Sequence, residues 1–213
     1  SGAVNTAIGK NALSANITGQ SNTAIGFNAL FSNTTGSWNT AVGLSSLRMN
    51  TTGLFNTAIG RRSMVENTIG SNNTSLGNQA MEFNTTGSYN TATGVVALNS
   101  NTTGSYNVGI GRQALQENTT ASNNTAVGLE ALTANTNGFL NTAIGRTSLV
   151  NNTTGYNNTA VGALFIIAAA LFRFSKKVPA GINDEKIEPA NKALKLLLII
   201  TGLLIIAFTP VFK

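Results

Sequence analysis

Apolar and polar positions alternate along most of this chain in a pattern that returns every 17 residues. Asn opens a unit at positions 5, 22, 39, 56, 73, 90, 107, 124, 141 and 158, with no insertion or deletion between them. The consensus reads N-T-A-[IV]-G-x-x-[AS]-L-x-x-N-T-T-G-S-x, as in Asn22 to Trp38, "NTAIGFNALFSNTTGSW". Large aliphatics recur at two places in the unit. Position four holds Ile8, Ile25, Val42, Ile59, Leu76, Ile110, Val127, Ile144 and Val161, and position nine holds Leu13, Leu30, Leu47, Met64, Met81, Leu98, Leu115, Leu132 and Leu149. The β-branched phrase T-A-[IV] predicts a short strand with its Ile facing inward, whereas x-x-[AS]-L-x-x fits either a second strand or one helical turn. A period this strict implies that each unit stacks on the last, because one extra residue would misalign every later coil. The reading is an all-β parallel β-solenoid of 17-residue coils over residues 1–162. Ten coils about 4.8 Å apart would make a rod on the order of 45–50 Å long.

Two residue types mark the corners. Position five is Gly9, Gly26, Gly43, Gly60, Gly77, Gly94, Gly111, Gly128 and Gly145, and position fifteen is Gly in eight of nine units, with Ala121 the exception. Glycine at a fixed phase predicts positive φ or close backbone approach. Asn at positions one (Asn22, Asn39, Asn56 among them) and twelve suits corners and stacked amide ladders. With Ile pointing in, strand alternation turns positions three and five outward, and these are almost all Ala or Gly. Two aliphatics per coil are a thin core, and a face of small residues admits another chain closely. The expectation is a homo-oligomer, a trimer first.

The pattern stops after Gly162. "ALFIIAAALF" (163–172) leads into a basic connector, and "LLLIITGLLIIAFTPVF" (196–212) carries no charge. Residues 163–213 are expected to form an α-helical hydrophobic hairpin. Arg173, Lys176, Lys177, Lys192 and Lys195 flank the apolar runs. The positive-inside rule places that loop in the cytoplasm and the repeats outside. Both runs are short for a 30 Å hydrocarbon layer, which needs about 20 residues. A bilayer is therefore one expected partner, and burial of the hairpin as the assembly core of an extracellular filament is the alternative.

Composition narrows the chemistry. Charged residues are only 9% of the chain, His and Cys are absent, and Asp184 is the single Asp. Triads, thiolate chemistry and ordinary metal sites lose their ligands. Glu66, Glu82, Glu117 and Glu130 fall at different phases of different coils and form no evident acid–base pair. No catalysis, cofactor or metal is expected. Of the net charge of +6, residues 1–160 contribute +2 and residues 161–213 contribute +4. That basic loop beside hydrocarbon is a membrane flank, not a nucleic-acid groove.

The remaining candidates are surface columns. Trp38, Phe55, Tyr89, Tyr106, Phe139 and Tyr156 gather at the last two positions of the unit, where they form a ligand-contact stripe for a sugar or simply cover a corner. The Thr column at position two supports ice binding if it is flat and exposed. A cation recurs at position six (Lys10, Arg61, Arg112, Arg146) too sparsely for a phosphate track, and Arg61-Arg62 reads as a solvated face. Sequons such as those at Asn33, Asn84 and Asn101 are by-products of N-T-T.

The N-T-A-[IV]-G units over about residues 4–162 resemble the head repeats of trimeric autotransporter adhesins. They are also similar to N-T-A-[IV]-G-x-x-A-L-x-x-N-T-T-G-S repeats of phage tail-fibre-like and bacterial surface proteins. The resemblance implies an elongated shaft or head used in attachment, with a surface glycan or host receptor as partner. Autotransporters have shorter repeats and end in a β-barrel anchor, unlike this chain. The combined expectation is a non-enzymatic surface rod seated on a hydrophobic anchor. The alternatives are a filament subunit and an ice- or glycan-binding solenoid.

Overall fold

The computed structural model of the chain describes residues 4–162. These form an all-parallel β-solenoid of about nine coils, and no described residue is helical. The expected helical hairpin, with Arg173, Lys176, Lys177, Lys192 and Lys195, lies outside the described residues.

Each coil contributes one three-residue strand: β1 Thr6–Ile8, β2 Thr23–Ile25, β3 Thr40–Val42, β4 Thr57–Ile59, β5 Thr74–Leu76, β6 Thr91–Thr93, β7 Val108–Ile110, β8 Thr125–Val127, β9 Thr142–Ile144 and β10 Thr159–Val161. They make one ten-stranded sheet in sequence order. Register is unshifted throughout, so Thr23 pairs with Thr40, Ala24 with Ala41 and Ile25 with Val42. Identical residues therefore stack into columns, as the fixed period requires.

The strand turns over relative to the sequence expectation. Ala24, Ala41, Ala58, Ala92, Ala126 and Ala143 at position three are fully buried, while Ile25, Ile59, Ile110 and Ile144 at position four are exposed. Thr at position two shares the outward side with Ile, as a period of two dictates. The small residues are thus the core side of the strand, not an outer face open to a second chain. The reason is space. Position nine fills the interior with Leu30, Leu47, Met64, Met81, Leu98, Leu115 and Leu132, and two Asn columns occupy the rest. Only Ala, Ser or Gly fits opposite them. At Gly109 even an added Cβ would lie 3.2 Å from Leu98 Cγ. Each coil buries one large aliphatic, worth about 1.5–3 kcal/mol, rather than two.

The x-x-[AS]-L-x-x stretch is neither strand nor helix. It is a bent corner with two left-handed residues per coil, at positions seven and nine: Asn28 at φ 55 and Leu30 at φ 49, Val96 at φ 52 and Leu98 at φ 48. Position seventeen is a third, including Trp38 at φ 57 and Tyr106 at φ 60. Left-handed backbone costs a non-glycine residue roughly 1–2 kcal/mol, and at position nine the burial of Leu offsets it.

Polar interior groups are satisfied by the Asn columns. Asn50 Nδ2 donates to Asn33 Oδ1 of the previous coil at 2.9 Å and to the Gly53 carbonyl of its own coil at 3.1 Å. Asn39 Nδ2 donates to the same Gly53 carbonyl at 2.8 Å, and the Asn39 amide N–H donates to Asn22 Oδ1 at 3.0 Å. One column thus ties the start of each coil to its end, and both tie coil to coil. Among the described residues no buried side-chain nitrogen or oxygen lacks a partner. Leaving such a group unpaired would cost about 1–3 kcal/mol, so the ladders are as binding as the aliphatic column.

Candidate functional site

With Ala turned inward, the outward sheet face carries two parallel columns. One is Thr at nine of the ten coils, broken by Val108, and the other is Ile, Val or Leu at nine, broken by Thr93. The apolar column is partly exposed: Ile25, Ile59, Ile110 and Ile144 are 36–42% exposed and Ile8 in the end coil 59%, while Val42, Leu76 and Val127 are half-buried. Beyond the Gly corner, position six extends it with Phe27, Leu44 and Val95, all exposed. Parallel in-register pairing makes every outward position repeat at the coil spacing.

The aromatic residues sit at the corner before the strand, in stacked pairs. Trp38 lies on Phe55 with ring centroids 4.9 Å apart and planes 5° from parallel, Tyr89 on Tyr106 at 4.9 Å and 1°, and Phe139 on Tyr156 at 5.0 Å and 4°. All six are exposed. The pairs do not form a continuous stripe. Two coils carrying rings alternate with one that does not, because Asn72 and Asn123 take position seventeen in the coils between. This three-coil rhythm was readable in the sequence as aromatics 51 residues apart (Trp38 and Tyr89, Phe55 and Tyr106) and then 50 apart (Tyr89 and Phe139, Tyr106 and Tyr156), superimposed on the single-coil period. The cations Lys10, Arg61 and Arg112 at position six recur every 51 residues, each exposed and in a coil without a ring, whereas the exposed Arg146 shares its coil with Tyr156.

Charge is otherwise sparse, with one exception to the solvated reading of Arg61-Arg62. Arg61 is exposed, but Arg62 is half-buried and its guanidinium donates through Nε and a terminal nitrogen to Glu82 in the next coil, the Nε contact being 2.7 Å. Glu82 is only 1% exposed and also accepts from Gln79 Nε2 at 2.8 Å. Its carboxylate is held by a cation and an amide, an arrangement suited to anchoring a corner. Glu66 and Glu117 are exposed and Glu130 half-exposed, in separate coils. Among the described residues no group of His, Cys, Asp or Glu could hold a metal ion.

The nine glycines at position five, Gly9 through Gly145, take φ between +118° and +146°. A Cβ on Gly60 would meet the Gly77 carbonyl oxygen at 2.4 Å. Asn22, Asn39 and Asn56 lie buried in the ladder, donating to the position-fifteen carbonyls of Gly36, Gly53 and Gly70, not on the surface. These residues build the scaffold, and the surfaces available for recognition are the Thr/Ile face and the aromatic corner. No protein-family model, curated protein or solved structure matches the chain. Among the described residues no helix is long and apolar enough to cross a membrane.

Proposed function

We propose that this chain is a non-enzymatic structural protein of a cell or virion surface. In this reading it is a homo-oligomeric solenoid rod seated on its apolar C-terminal segment and displaying an attachment surface. The observation that supports it is the outward Ile/Val column. Ile25, Ile59, Ile110 and Ile144, with Phe27, Leu44 and Val95 beside them, leave apolar side chains in water along one face, and exposure grouped in this way marks an interaction site. Sheet and flanking corners together span roughly 20 Å by 45 Å, on the order of 900 Å² per copy, about what a stable interface needs from each partner. A second copy presents the same ladder at the same repeat, so in this reading the oligomer closes on the Ile face. The interface expected from small outer residues is replaced by this one.

Native mass spectrometry and sedimentation equilibrium of the full chain test the reading. Replacement of Ile25, Ile59 and Ile144 by Lys should convert the oligomer to monomer while leaving the circular dichroism of the coils unchanged. A wild-type monomer, or an oligomer indifferent to the three lysines, refutes it. Vesicle flotation of the full chain tests the anchor separately.

The half-buried Thr column favours a second reading, binding to ice. Thr hydroxyls recur about 4.8 Å apart in nine of the ten coils, beside methyl-bearing Ile. Thermal hysteresis that disappears in Thr57→Lys would support it. Because an oligomer covers the face, the two readings exclude each other.

A further inference from the structure

The gap that Asn72 leaves in the aromatic column has the dimensions of a binding slot. Phe55 and Tyr89 occupy the same corner position two coils apart, both left-handed (φ 56 and φ 59) and both about half exposed. Within each neighbouring pair one coil step places ring centroids 4.9 Å apart and nearly parallel. Two steps therefore leave roughly 10 Å between the Phe55 and Tyr89 rings, the sheet spacing taken twice. A ring seated between them over the fourth coil would sit about 5 Å from each, inside the stacking range of about 4.5–7 Å. At its base is Asn72, exposed, at φ 59, whose side-chain amide has no hydrogen-bond partner among the described residues. Elsewhere the Asn side chains of the ladders are committed, as at Asn73, which donates to Gly87 O at 2.9 Å. The slot thus has two apolar walls facing each other and a free amide donor and acceptor at one edge.

We propose that this slot binds a single hexopyranose whose ring hydroxyls are all equatorial, such as a terminal β-glucosyl residue. The walls choose the configuration. With an aromatic ring on each side, both sugar faces must present C–H and neither may present an axial hydroxyl, which would be desolvated against carbon. A β-gluco ring meets that condition on both faces. A galacto ring has an axial hydroxyl at C4 and a manno ring one at C2, and each sets a hydroxyl against a wall. Equatorial hydroxyls point outward around the ring edge, where the Asn72 amide meets them. A planar phenolic ring would fill the thickness but offer the amide only one hydroxyl. This proposal goes beyond the oligomeric rod and rests on a different surface, the corner before the strand.

The probe is methyl β-D-glucopyranoside, titrated by saturation-transfer NMR and calorimetry against the full-length chain in a detergent without a sugar headgroup. Saturable binding on the order of millimolar is expected for so small a ligand, weaker by about tenfold or more for the β-galactoside and α-mannoside. Phe55→Ala should weaken it about tenfold, since one wall is lost. Asn72→Tyr should abolish it by filling the slot with a third stacked ring. Tyr already occupies this corner position at Tyr89 and Tyr106, so that variant should melt with the wild type. No saturable binding, equal binding of the three sugars, preference for p-cresol, or binding that survives Asn72→Tyr in a folded variant would each overturn the assignment.

Discussion

Two kinds of corner close every coil, and they do so by different physics. At position five the backbone takes φ between +118° and +146°, outside the left-handed helical well, and faces the carbonyl of the next coil's glycine. Every coil has Gly there. At position seven the backbone takes φ between 52° and 61°, inside that well, and the residues are Asn11, Asn28, Ser45, Arg62, Gln79, Val96, Gln113, Glu130 and Thr147. The first corner is forbidden to a side chain by conformation and by contact. The second only penalises one. The difference decides where such a rod can carry information: strict corners hold the coil spacing, and tolerant corners, position seventeen included, are free to vary for recognition. The aromatic rhythm is written at the tolerant kind.

Breaking the strict corner should have the largest effect. In Gly77→Ala the new Cβ would lie 2.3 Å from the Gly94 carbonyl oxygen and the residue would be held at φ +146. Strain of about 1–3 kcal/mol from the backbone adds to displacement of a packed coil, for a loss of roughly 3–5 kcal/mol. Thermal melting followed by circular dichroism measures it. Position fifteen supplies the comparison. A Cβ on Gly53 would also crowd its neighbours, Asn50 Oδ1 at 2.4 Å and the Gly70 carbonyl oxygen at 2.5 Å, but no positive φ adds to it. Ala121 already occupies that column with its carbonyl still accepting from Asn107 and Asn118 at 2.8 and 3.0 Å. Gly53→Ala should therefore cost clearly less than Gly77→Ala. Equal losses would show that contact alone, not conformation, makes position five glycine.

The tolerant corner becomes strict where a side chain takes on a second role. Arg62 sits at position seven and holds the buried Glu82 carboxylate. Arg62→Ala leaves that carboxylate with only Gln79, and removing one partner of a buried pair costs about 3–5 kcal/mol. Because Arg62 is 43% exposed, solvent reaches the vacated site and the loss should fall nearer 2 kcal/mol. The double variant Arg62→Ala/Glu82→Ala should recover part of it, as it removes the stranded charge. A double variant no more stable than the single one would mean that Glu82 acts through packing.

Much of this was legible in the sequence, and the part that was not has a physical reason. Period, in-register stacking, Gly corners and Asn ladders follow from spacing alone. The facing of the strand did not, because hydrophobicity favoured an inward Ile8 or Ile25 over an inward Ala. The deciding signal was volume. Column three admits only Ala, Ser75 and Gly109, while column four admits Ile, Val, Leu76 and Thr93, which marks column three as the confined one. The left-handed Leu at position nine left no such trace, since Leu is there for burial and the backbone conformation is imposed by the coil. The Arg62–Glu82 pair was hidden for a similar reason: residues 20 apart meet only once corners at positions seven and ten of adjacent coils are known to adjoin.

The smallest effect sharpens the comparison most, since it should carry the opposite sign. Val96 holds φ 52 at position seven, a conformation in which a β-branched side chain is an outlier. It is only partly buried, and its N–H is already bonded to the Asn78 carbonyl at 3.0 Å. Replacing it with Gly removes about 1–2 kcal/mol of left-handed strain. It also raises the entropy of the unfolded chain and forfeits modest burial, so Val96→Gly should stabilise by about 0.5 kcal/mol. Asn, which tolerates the left-handed region and already fills this position at Asn28, should do as well or better. The control is two residues away. Leu98, at φ 48 and fully buried, carries the same backbone strain, yet Leu98→Gly should cost several kcal/mol because the lost burial and the cavity outweigh the relief. If Val96→Gly destabilises the chain in urea titration, the left-handed corner at position seven is not strained, and its tolerance for side chains needs no compensation from the core.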